Sequence, residues 1–140
     1  MRVAIKTIIF VGAFSSLCVS AFAQNNKTAI KPWFQALSPV DREVISELLA
    51  DNAQIELKDF DITQSKDEFV EALDNWEEAI ENGSIAFKID EDASSEENIT
   101  TKVCYKFPSN ELMTIETFMF DDGMIIKSIQ ETIADDCSDF

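Results

Sequence analysis

From residue 98 onward the chain alternates apolar and polar positions in three successive runs, separated by Ser109-Asn110 and by Asp122-Gly123. Alternation interrupted by turn residues predicts three antiparallel strands ending near Ile133, because successive side chains on a strand point to opposite faces. Taking Ser109-Asn110 as a two-residue turn pairs Pro108 with Glu111, Val103 with Glu116, Tyr105 with Thr114 and Cys104 with Ile115. One face of that hairpin then holds Ile99, Val103, Tyr105, Phe107, Leu112, Phe118 and Phe120. The other holds Lys102, Cys104, Lys106, Met113, Ile115 and Met119. The first face has the aromatics and almost no charge, so it is the inner one. Glu116 is its exception: a carboxyl among phenylalanines needs a hydrogen-bonding partner, or contact with water or ligand. Around Asp121-Asp122-Gly123 the last strand has two registers open to it, a two-residue turn or a three-residue loop with a glycine bulge. The second sets Ile126, Ser128, Gln130 and Thr132 inside beside Glu116 and leaves Lys127 and Glu131 outside.

Upstream, the apolar period lengthens to that of helices. Gln24 to Lys31 is polar and expected to be flexible. Ile30, Trp33, Phe34 and Leu37 recur at helical spacing, with Pro32 in the first turn of a helix beginning there. A second helix is expected to start at Ser38 as N-cap with Pro39 at its first position, and to bury Val40, Val44, Ile45, Leu48 and Leu49 before ending near Asp51-Asn52. Ala53 to Leu57 reads as a strand, and Lys58 to Ile62 as a short turn that allows a second strand. Ser65 and Glu68 form a capping box for the longest helix, whose stripe is Phe69, Ala72, Leu73, Trp76 and Ile80 and which Asn82-Gly83 stops. Ile85 to Ile89 is a strand. Helices first and a long meander last is an α+β pattern, in which one curved, mainly antiparallel sheet wraps three helices.

The first 23 residues fall outside that pattern. Arg2 and Lys6 precede an apolar run ending in Ala21-Phe22-Ala23, the form of a secretory signal peptide cleaved after Ala23. Cleavage removes two bases and no acid, leaving nine Lys and Arg against 27 Asp and Glu, a net charge of −18. Such a surface repels phosphate backbones and anionic lipid, so no nucleic-acid partner and no membrane association after cleavage are expected. Residues 32–140 suffice for one domain. Export, to periplasm or exterior, also places Cys104 and Cys137 in an oxidising compartment. Their strands run parallel and two apart, which favours a disulfide; a free thiol on the tail is the alternative.

The chain has no histidine, which excludes Ser-His-Asp hydrolysis, histidine general bases and histidine-ligated metals. No glycine-rich phosphate loop occurs, and neither cofactor nor metal is expected. The acidic stretch Asp90 to Glu97 lacks the glycine and ligand spacing of an EF-hand loop and reads as a solvated tip. Acid–base chemistry, if any, must use carboxylates, tyrosine or lysine. Glu116 and Tyr105 are the catalytic candidates: desolvation on the inner face should raise the carboxyl's proton affinity, and Tyr105 lies diagonal to it. A buried structural carboxyl and a core tyrosine are the plainer alternatives. Ser128 and Gln130 would line the polar end of a pocket with them. Trp33, Trp76 and Phe118 would supply its apolar wall, although aromatics at such spacing also serve simply as core. Outside, Met113, Ile115 and Met119 make the hairpin more apolar than a solvated sheet needs, pointing to a homodimer through the outer sheet face or to cover by the C-terminal tail.

Ala50-Asp51-Asn52-Ala53-Gln54-Ile55 followed by the Ser65-Lys66 helix, and Phe118-x-Phe120-Asp121-Asp122-Gly123-Met124-Ile125, resemble the SnoaL-like, nuclear transport factor 2-like superfamily. The resemblance spans nearly all of the chain after residue 23. It implies a cone of three helices and a bent sheet around an apolar pocket, frequently dimeric, in isomerases, dehydratases, cyclases and non-catalytic binders. Against members similar to ketosteroid isomerase, the catalytic base falls near Leu57, which takes no proton, and the second acid falls on Glu116. The implied function is therefore an exported domain binding a small, partly apolar molecule. An isomerase, dehydratase or cyclase using Glu116 and Tyr105, or an accessory dimer, are the alternatives.

Overall fold

The computed structural model describes residues 25–140, so the proposed leader lies outside the described residues. Three helices, α1 (Lys27–Leu37), α2 (Arg42–Leu48) and α3 (Lys66–Ile80), pack in the concavity of one six-stranded sheet. The strands are β1 (Leu49–Leu57), β2 (Ile62–Ser65), β3 (Ser84–Asp90), β4 (Asn98–Lys106), β5 (Glu111–Asp121) and β6 (Met124–Ala134), in the order β2-β1-β6-β5-β4-β3. Only β1 against β6 is parallel, so the sheet is mixed: the chain leaves β1 through β2 and α3, runs through β3, β4 and β5, and returns beside β1 as β6.

The β4–β5 hairpin keeps the expected faces but not the expected partners. Its loop is four residues, Phe107 to Asn110, closed by the Phe107 N–H donating to the Asn110 carbonyl at 2.8 Å. Lys106 therefore pairs with Glu111, Val103 with Thr114 and Thr101 with Glu116. Relative to a two-residue turn every pair slides by two positions, and a slide of two leaves each side chain on its own face. At the other end Asp122 and Gly123 form the two-residue turn, both at positive φ (48° and 76°), while Ile126 is an unpaired extra residue between Lys127 and Ile125. The bulge restores the register in which Glu116 faces Gln130 and Phe118 faces Ser128. Ile125, opposite Phe120, rather than Ile126, is the residue driven into the core.

The helices differ at their starts. α1 begins at Lys27, five residues before Pro32, so Pro32 lies inside it and the carbonyl of Thr28 lacks its usual donor. Asn26 donates through Nδ2 to the Glu96 carbonyl and Lys27 pairs with Glu91, tying this end to the β3–β4 loop. α2 is capped by Asp41, which accepts from the Val44 N–H, not by Ser38. Val40 sits at φ 56° in the turn between α1 and α2, an unfavourable conformation for a β-branched residue, held because its side chain is buried. The helix also yields early: Leu49 to Asn52 are already strand. α3 carries its expected capping box, with Ser65 and Glu68 each bonding the other's backbone.

Candidate functional site

A cavity of about 340 Å³ remains between the helices and the inner face of the sheet. Its existence follows from side-chain size on α3. Phe69, Leu73 and Trp76 reach toward the sheet, while Ala72 and Ala79 on the same side of the helix leave space that larger residues would fill. Ile55 and Leu57 of β1 and Leu37 of α1 complete the apolar lining. Exposed Asn75 and Ala79 on α3, and half-buried Gln64 on β2, mark the mouth.

Glu116 is the acid of this cavity and is 3% exposed. Its Oε1 accepts from the Tyr105 hydroxyl at 2.5 Å and from Thr114 Oγ1 at 3.2 Å. Tyr105 pairs with Leu112, four cross-strand pairs along from Thr101–Glu116 and on the same inner face, so it is farther along the ladder than the diagonal position a two-residue turn would give; Thr114 shares a strand face with the carboxyl at i−2. Among the described residues no donor reaches Oε2, and Glu116 lines the cavity. Among the described residues no ion pair involves Glu116. Burial pushes its carboxyl up to about 7, against the lowering effect of the two hydroxyl donors. Burial first, and the neighbouring carboxyl second, hold the Tyr105 hydroxyl well above its ordinary range, so the shared proton stays on tyrosine.

Aromatic packing fixes the walls. Trp33 stacks on Phe69 at 5.7 Å and meets Phe118 edge-on; Trp76 meets Tyr105 edge-on at 5.6 Å and donates through Nε1 to the Leu37 carbonyl at 2.9 Å. Nothing among the described residues accepts from Trp33 Nε1, although it is buried.

No family model matches the sequence, and no curated protein matches it either. Solved structures do match in shape. A candidate ketosteroid isomerase from Kribbella flavida superposes with a TM-score of 0.69 at 11% identity, over 79% of this chain and 78% of that one. IdmH, a candidate polyketide cyclase from Streptomyces antibioticus, gives 0.65 at 13% identity over 76% and 91%. An LEH-like epoxide hydrolase from M. tuberculosis gives 0.60 at 14% over 78% and 83%. The fold is nuclear transport factor 2-like.

Within this nuclear transport factor 2-like cone, five of the residues expected around a ligand come together: Trp33, Trp76, Tyr105, Glu116 and Gln130 line the cavity. Two lie outside the lining. Phe118 is fully buried against Trp33 and Phe34, and Ser128, its cross-strand partner, is buried beside it. Leu57, where the resemblance set an isomerase's base, does line the cavity and offers only carbon to it. Gln64 and Asn75 are amides that the sequence reading did not single out. Asn75 is flanked on α3 by Ala72 and Ala79 at i−3 and i+4, and that pair of small residues was the available signal.

Proposed function

We propose that this chain is an exported domain that binds a small, partly apolar molecule in the cavity beneath α3. The observation that carries the reading is Glu116: a buried carboxyl lining the cavity, with one oxygen satisfied by Tyr105 and Thr114 and, among the described residues, no donor to the other. A volume of about 340 Å³ walled by Trp33, Phe69 and Trp76 suits an apolar body, and Gln64, Asn75 and Gln130 supply polar contacts around it. The solved structures of similar shape include a candidate ketosteroid isomerase, a candidate polyketide cyclase and an epoxide hydrolase, proteins named for small-molecule chemistry. Export rests on the leader ending at Ala23 and accords with the Cys104–Cys137 disulfide.

A second reading, catalysis of the isomerase, dehydratase or cyclase kind, draws on the same carboxyl, since an acid held near 7 can both give and take a proton at neutral pH. Leu57 weighs against it, because among the described residues no second carboxylate lines the cavity with Glu116. Native mass spectrometry of protein purified from its own host tests the first reading: a retained small molecule is expected in the wild type and absent in Ala72→Phe, which fills the space. Retention undiminished in Ala72→Phe would sink it. Glu116→Gln separates the two readings, since lost turnover with retained binding would favour chemistry. Self-association through the outer sheet face, around Ile115, Met119 and Ile129, is part of the same reading, and sedimentation as a monomer at on the order of tens of micromolar would count against it.

A further inference from the structure

We propose that the occupant of the cavity is a small organic cation, an amine or quaternary ammonium, seated between Glu116 Oε2 and the rings of Trp33, Phe69, Trp76 and Tyr105. This inference rests on the binding reading above and names the chemical class of the ligand. Three independent features carry it. The first is a missing counter-charge. Every ion pair among the described residues joins a lysine or arginine to an acid other than Glu116, and no basic side chain lines the cavity. A buried carboxyl with no fixed counter-charge gains most from a ligand that brings one. The second feature is the hydrogen-bond geometry: Tyr105 and Thr114 both donate to Oε1, partly offsetting the burial that favours the protonated acid, and neither reaches Oε2. The third is the wall. Four aromatic residues line one small cavity, and ring faces attract a desolvated cation most strongly in the way a quaternary ammonium is held by an aromatic cage. The outer charge works in the same direction, because 27 acidic against nine basic residues in the chain after Ala23 raise the local concentration of cations and exclude anions.

A neutral ligand accepting a hydrogen bond from protonated Glu116 makes the opposite prediction with pH. Tyr105 on β4 is the other titratable group of the lining; α1, β1, β2, α3 and β6 contribute none. Since burial holds Tyr105 well above its ordinary range, Glu116 alone among the lining groups changes charge near neutrality. A cation binds the carboxylate, so its affinity rises as pH passes upward through about 7, whereas a neutral acceptor binds the acid and its affinity falls.

The experiment compares phenyltrimethylammonium with its uncharged isostere tert-butylbenzene on the wild-type protein at pH 6 and pH 8, in 0.15 M salt. Both tryptophans of the chain, Trp33 and Trp76, line the cavity, so intrinsic fluorescence reports occupancy directly. The expected result is cation binding that tightens about tenfold from pH 6 to pH 8, with tert-butylbenzene weaker and insensitive to pH. Glu116→Gln is expected to lower cation affinity at pH 8 at least tenfold and to abolish its rise between pH 6 and pH 8. Binding of tert-butylbenzene as tight as the cation, with no rise in cation affinity with pH, would overturn the charge assignment and leave the binding reading standing. Failure of both probes to perturb the tryptophans would overturn both.

Discussion

A carboxyl that titrates near 7 in the folded chain and near 4.5 when free makes folding itself a proton-linked reaction. Because the folded state holds its proton more tightly, the contribution of Glu116 is fully present below about pH 4.5 and is lost as pH rises through about 7. The loss approaches about 3 kcal/mol at the upper end. Glu116→Gln keeps the shape and an acceptor for Tyr105 but does not titrate. Urea unfolding from pH 5 to pH 8 is therefore expected to show wild-type stability falling with pH and a distinctly flatter profile in the variant; parallel profiles would contradict the assignment. The exposed acids held low by local hydrogen bonds, among them Glu68 and Asp136, act with the opposite sign and only at more acidic pH, so they leave this window undisturbed. Glu116 was legible in the sequence because an acid on the apolar side of a two-residue period has no ordinary reason to be there. Gln64 and Asn75 were not, since an amide on a short edge strand or just off a helix stripe looks the same whether it meets water or a ligand.

Between elements the information lies mostly in loop geometry. The faces of β4 and β5 followed from alternation, but their partners depended on whether the connection spans two residues or four, and Phe107-Pro108-Ser109-Asn110 accommodates either reading. Likewise Ser38-Pro39 carries every local mark of a helix start, yet the chain uses Asp41, because a positive φ at Val40 turns α2 back against α1 and buries Val40 in the same step. Gly83 shows the reverse, a local mark with a tertiary cause. It stands just after α3, past Asn82 at φ 60°, and a Cβ there would meet the Lys106 carbonyl oxygen at 2.6 Å. That oxygen belongs to the backbone at the end of β4 and has no flexible side chain to yield. Gly83→Ala is accordingly expected to cost about 1–3 kcal/mol by forcing α3 and β3 away from β4, measurable as a lowered urea midpoint with unchanged slope. Full wild-type stability in that variant would mean the α3–β3 turn has more freedom than the packing implies.

At the scale of the whole molecule, the α+β cone was readable from element order, whereas the parallel β1–β6 pairing was not, because it joins residues more than seventy apart and leaves no local pattern. The disulfide lay between these cases. Compartment and strand spacing favoured it, and the fold brings the Cα atoms of Cys104 and Cys137 within 5.8 Å. The tail that makes this bridge crosses the outer face: Ala134 pairs with Met113 on β5, Cys137 reaches Cys104 on β4, and Phe140 lies under the Lys88 ammonium on β3 at 4.4 Å. Met113 and Cys104 are buried beneath it, while Ile115, Met119 and Ile129 farther along the face stay half-exposed. The tail therefore covers one end of that apolar face, while the other end is open among the described residues. Cross-linking residues separated by 33 positions restricts the unfolded chain enough to stabilise the fold by about 3–4 kcal/mol. Cys137→Ser is expected to lose most of that in urea unfolding, and reductant is expected to weaken the wild type to the same midpoint while leaving the variant unmoved. Since Cys137 also donates its N–H to Glu111 and β6 ends only at Ala134, a variant truncated after residue 134 separates the cross-link from the covering. If the bridge alone matters, truncation matches Cys137→Ser; a further fall in stability would be the contribution of the tail burying Met113.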